Sequence, residues 1–109
     1  MTSTEMLSTY EALSELTTTM LAAARRGEWD LLATLEENCR GHVSSLMQAK
    51  PVTLNESEQR TKIAIIRAIL QNDAKIRSFT EPHMHQLQER ISMMRTSQRG
   101  VRAYGSQHL

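Results

Sequence analysis

The sequence predicts an all-α fold: an antiparallel helical hairpin packed on a long third helix kinked at Pro82, followed by a short C-terminal helical tail. Apolar residues recur every three to four positions through most of the chain, the spacing of one face of a helix. Four glycines and two prolines are available for turns and four aromatics for strands, too few for a β-sandwich or barrel. The 109 residues suit one domain with a single core, since domains usually run to about 100–150 residues.

Helix one is expected over residues 4–26. Met6, Tyr10, Leu13, Met20 and Ala24, with Leu16 and Thr17 between them, form its apolar stripe. Thr2 and Glu5 stand at the spacing of a capping box, in which side chains satisfy backbone N–H groups of the first turn. At the other end, Arg25 and Arg26 sit where the helix dipole favours cations, and Gly27 can take the left-handed conformation that stops a helix. Glu28 and Asp30 then supply anions for a new N-terminus. So short a connection folds helix two, over 28–49, back antiparallel on helix one.

Helix two should pack through Trp29, Leu32, Leu35, Cys39, Val43 and Leu46, with Trp29 over the hairpin corner. Gly41 inside it costs about 1 kcal/mol relative to alanine, which fits either an exposed position or a closely approaching neighbour. Pro51 ends the helix, and Asn55 with Glu58 offers a second capping box.

Helix three is expected over 56–97. Ile63, Ile66, Leu70, Asp73, Arg77, Thr80, Met84, Leu87, Ile91 and Met94 alternate by threes and fours. Where the middle of that stripe turns polar, Ile65, Ile69, Ile76 and Phe79 carry an apolar face one position earlier, as a 3.6-residue helix drifts against a seven-residue repeat. Pro82 removes one hydrogen bond, yet the stripe resumes in phase at Met84, so a kink within a continuous helix is expected. At 1.5 Å per residue this helix is about 60 Å long, twice either hairpin helix. An apolar overhang follows. Residues 98–109, with Gly100, Val101, Tyr104, Gly105 and Leu109, would form a tail able to fold back over it.

The whole-chain charge is +1, which attracts neither nucleic acid nor an anionic membrane. It is unevenly spread: residues 1–50 hold four bases against seven acids, net −3, and residues 51–109 hold nine against five, net +4. No apolar run approaches the roughly 18 residues of a membrane span, and no signal peptide opens the chain. With Cys39 the single cysteine, the reading is a cytoplasmic protein without membrane insertion.

Nothing in the pattern suggests catalysis, a metal or a cofactor. Cys39 and His42 lack a third group to orient them and read as a buried thiol and its neighbour. His83 and His85 are about 200° apart around a helix, which prevents shared coordination. Arg90, Arg95, Arg99 and Arg102 have no interleaved aromatic and read as a solvated face rather than a nucleic-acid patch. The seven methionines have two readings. They fill gaps in a core poor in aromatics, or Met84, Met93 and Met94 adapt to the apolar face of a partner helix.

Four stretches, in three parts of the chain, resemble the FliT family of bacterial flagellar type III export chaperones. Met1-Thr2-Ser3-Thr4 and Arg26-Gly27-Glu28-Trp29-Asp30-Leu31-Leu32 resemble the family's first hairpin, Leu70-Gln71-Asn72-Asp73 its long third helix, and Ala103-Tyr104-Gly105 its tail. The resemblance implies a small helical bundle that binds the C-terminal segment of the filament-cap protein, prevents premature assembly, and delivers it to the export ATPase complex and export gate. Some members also restrain the flagellar master transcription regulator. Ile66, Leu70 and Arg77 are implicated by the resemblance in contacts with the export machinery. A tail segment including Val101, Ala103 and Tyr104 would shield the binding surface until a client displaces it.

Together the two readings place a client helix on an apolar strip that includes Met84, Leu87, Ile91 and Met94. At about 25 cal/mol per Å², several hundred Å² of such strip suffices for micromolar affinity after association costs. A different reading makes the chain a coiled-coil regulatory adaptor, a homodimer paired through helix three. A third makes it a nucleic-acid module using Arg90 to Arg102.

Overall fold

A computed structural model describes the backbone of residues 1–108 and the side chains of residues 1–96. Three helices follow in order: α1 Ser3–Arg26, α2 Trp29–Gln48 and α3 Glu56–His108. No strand occurs among the described residues. The chain divides into two compact units, Met1–Ser78 and Phe79–Leu109, with α3 contributing to both.

The helix ends form as their residue types require. Thr2 Oγ1 accepts the Glu5 N–H at 3.1 Å, which caps α1. Gly27 closes it with φ +70°. That left-handed conformation lets Gly27 and Glu28 donate backbone hydrogen bonds to the Ala24 and Ala23 carbonyls. Glu28, by contrast, places no side-chain cap on α2; its carboxylate lies 3.6 Å from Arg26. At α3 both arms of the capping box close. Glu58 N–H donates to Asn55 Oδ1 at 2.8 Å, and Asn55 N–H donates to Glu58 Oε1 at 3.0 Å.

In the first unit the three helices run up, down and up. Ala12 and Ser45 line one groove with Thr19 and Glu37, so early α1 faces late α2 as an antiparallel hairpin demands. Ser3 reaches Glu58, Lys62 lies over the Tyr10 ring, and Asn72 reaches Thr17. α3 therefore rises parallel to α1. Helix α1 carries more buried residues than α2.

The core is small and sits beside the hairpin corner. Met20, Leu21, Ala23 and Ala24 of α1 pack with Leu32 of α2 and Ile76 of α3, and Trp29, Leu35 and Cys39 close over them. The small side chains of Ala23 and Ala24 allow close helix approach. Trp29 covers the corner as its position in the sequence suggests.

Two expectations are corrected, at Val43 and at the end of helix three. Val43 is exposed, and half-buried His42 takes the inner position, because the inner face of α2 steps from Cys39 by three residues and then by four to Leu46. On α3 the face turned toward α1 and α2 carries Ile65, Ile69, Asn72 and buried Ile76, while Ile63 and Leu70 of the longer stripe face solvent. Finally, helix three does not stop near residue 97. The backbone of residues 98–108 continues α3, and Pro82 also lies inside that helix. A tail folding back as a separate element is thus replaced by more helix; the side chains of Val101, Ala103 and Tyr104 lie outside the described residues.

Candidate functional site

The motif Leu70-Gln71-Asn72-Asp73 separates into structural and exposed parts. Asn72 Nδ2 donates to Thr17 Oγ1 at 3.1 Å and to Thr18 Oγ1 at 3.2 Å. Thr17 is itself buried and donates to the Ser14 carbonyl. A polar clamp therefore fixes α3 at one height along α1, where an apolar pair would tolerate sliding. Leu70 points the other way and is 61% exposed. Asp73 pairs at 2.6 Å with Arg77, one turn on.

The outer face of α3 in the first unit thus holds exposed Ile63, half-buried Ile66, exposed Leu70 and the paired cation Arg77. Ile66, Leu70 and Arg77, the three residues implicated in export contacts, are one such face. Their ion pair contributes only about 0.3–0.5 kcal/mol, as exposed i,i+4 pairs do, so Arg77 can exchange Asp73 for another anion at little cost.

The second unit presents a separate apolar row. Met84 is 52% exposed, Leu87 36%, Ile91 47% and Met94 62%. Steps of three, four and three put these four on one helical stripe. Met93, also exposed, falls off the stripe. Glu89 is turned from the row and lies 3.1 Å from His85 Nε2, a contact that is an ion pair when the imidazole is protonated.

Two further features escaped the sequence reading. An open groove of about 660 Å³ between α1 and α2 is lined by Ala12, Glu15, Leu16, Glu37, Gly41 and His42, among others. A side chain on Gly41 would meet nothing within 4 Å, so of the two explanations for this glycine the exposed one holds. Val43 and Met47 form an outward apolar pair on α2. Periodicity could have found that pair, since the two stand one turn apart.

The titratable groups do not assemble a reactive centre. Burial raises the pKa of the Cys39 thiol, and the nearby Glu36 and Asp73 carboxylates push it further in the same direction. It therefore stays protonated and poorly nucleophilic at neutral pH. Among the described residues, no group of three or more His, Cys, Asp or Glu side chains is placed to hold a metal ion. No described helix is long and apolar enough to cross a membrane.

The model of a family described as flagellar protein FliT matches residues 7–106. Among solved structures, the crystal structure of flagellar protein FliT from Bordetella bronchiseptica is similar, with 30% identity and a TM-score of 0.68 over 77% of this chain and 96% of that one. No curated protein gives a significant match. The family match spans the hairpin, the Asn72 clamp and both exposed rows of α3, and the chain belongs to the FliT family of flagellar chaperones, which is not a family of enzymes.

Proposed function

We propose that this protein is a cytoplasmic chaperone of flagellar type III export that binds the C-terminal segment of the filament-cap protein, prevents its premature assembly and delivers it to the export apparatus. The observation that supports the reading is the exposed row Met84, Leu87, Ile91 and Met94. In water such a row is a liability; against the apolar face of a client helix it becomes a binding surface. The two methionines at the ends of the row are long and flexible and accommodate more than one apolar outline.

A different surface serves delivery. Ile66, Leu70 and Arg77, on the outer face of α3 in the first unit, are assigned to contacts with the export ATPase complex and the export gate. Restraint of the flagellar master transcription regulator is carried by the family resemblance.

Titrating the full chain with a peptide of the cap protein's C-terminal segment tests the central claim. Micromolar binding that is lost in Leu87→Asp/Ile91→Asp, with helicity unchanged, is the expected result. No binding by either the full chain or a variant lacking residues 98–109 would refute it. Ile66→Ala/Leu70→Ala should weaken capture of export components and leave the cap peptide bound.

A further inference from the structure

When two helices pair through an apolar seam, the positions just outside the seam on each side face the partner and decide which partner is accepted. For the row Met84, Leu87, Ile91 and Met94 these rim positions are His83, Gln88, Arg90 and Arg95. None is an acid. Glu81 lies a turn before the row, and Glu89, the one carboxylate between Pro82 and Leu109, sits on the far side with His85. Arg90 and Arg95 therefore border the apolar residues with positive charge that no carboxylate among the described residues compensates.

This border disfavours a second copy of the chain. In a parallel pair Arg90 of one copy would meet Arg95 of the other, and in an antiparallel pair centred on the row Arg90 would meet its own equivalent. Like charges across a helix seam repel, and opposite ones attract and set register. The row is also a convex ridge on one helix, which suits a second helix more than an extended peptide.

Resting on the reading that this chain captures a client helix, we infer that the Met84–Met94 row accepts an amphipathic helix whose own apolar seam is bordered by carboxylates. Apolar burial supplies the affinity. The acid border supplies selectivity, and it speeds encounter in a salt-dependent way.

Two helical peptides of roughly three heptads, sharing one leucine and isoleucine seam but carrying Glu or Lys at every rim position, are titrated into the full-length protein by fluorescence anisotropy. The Glu peptide should bind roughly ten-fold tighter at low ionic strength, and the gap should narrow as salt screens the rims. Arg90→Glu/Arg95→Glu changes only exposed side chains; it should keep its helicity by circular dichroism and reverse the preference.

Equal affinity for the two peptides, or an unchanged preference in the double variant, would overturn the inference. So would a concentration-dependent dimer in sedimentation that the Glu peptide fails to dissociate, or adsorption to phosphatidylglycerol vesicles that the peptide fails to displace. Capture of the cap-protein segment without capture of the Glu peptide would remove this inference and leave the chaperone reading standing. The converse result would support the inference and remove the cap protein as client.

Discussion

Replacing Asn72 with alanine should loosen α3 from α1 by an amount that the geometry sets. Two hydrogen bonds are lost. The one to buried Thr17 contributes about 1 kcal/mol, and the one to exposed Thr18 about half as much, since water competes for it. No orphan is left behind, because the Thr17 hydroxyl keeps its bond to the Ser14 carbonyl, so the larger penalty for an unsatisfied buried group does not apply. The expected loss is about 1.5 kcal/mol, or roughly 6–12 °C in Tm for a domain of this size. Urea unfolding of Asn72→Ala, Thr17→Val and the double variant completes a thermodynamic cycle. An interaction energy of about 1 kcal/mol is expected between the two sites. A coupling within about 0.3 kcal/mol of zero, the usual additivity error, would refute the idea that this contact holds α3 in register.

Gly41→Ala should stabilise the protein by up to about 1 kcal/mol, because the added methyl enters open space on a helix interior; chemical denaturation reads the gain directly. Cys39 should react more slowly with iodoacetamide in the native protein than in urea at the same mildly alkaline pH, since its thiol pKa is raised by burial and by Glu36 and Asp73. Equal rates would contradict that environment. The Glu58 carboxyl is held below its usual range by the Asn55 N–H and then by the Ser3 hydroxyl. Its contribution is therefore present above the unfolded-state pKa of glutamate and lost as pH falls through the lower native one. Stability of Glu58→Gln should vary less with pH across that acid window.

Sequence patterns located the helix ends well where a local chemical device defines them. Thr2, Gly27 and the Asn55–Glu58 pair act within four residues of themselves, so their spacing alone is informative. Which stripe of a helix turns inward is a property of its neighbours. On α3 both stripes contain isoleucine, and the inner one is selected partly by polar Asn72, whose partners Thr17 and Thr18 lie more than fifty positions earlier in the chain. No periodicity within α3 carries that information. Val43 misled for a related reason: a valine and a histidine at adjacent positions suggest the valine inside, yet the imidazole of His42 can keep its polar edge toward the α1–α2 groove while its ring packs. The tail expected over residues 98–109 contains Gly100 and Gly105, but glycine only lowers helix propensity and forbids nothing, and the backbone of α3 continues through both. The residues of the proposed surfaces were singled out only through the family resemblance and the repeated apolar spacing; the charge on the rim becomes informative with Glu89 turned away toward His85.

The lopsided core of the first unit has a consequence for how it opens. Its tightly packed side chains gather around Leu32 and Ile76 beside Gly27, whereas the opposite end, around Met47 and the 49–55 loop, is mostly exposed. Amide protons should therefore exchange fastest at that far end and slowest beside the hairpin corner. A protease would find its first cut near Pro51, and the helices would part like a clothes peg, jaws before spring.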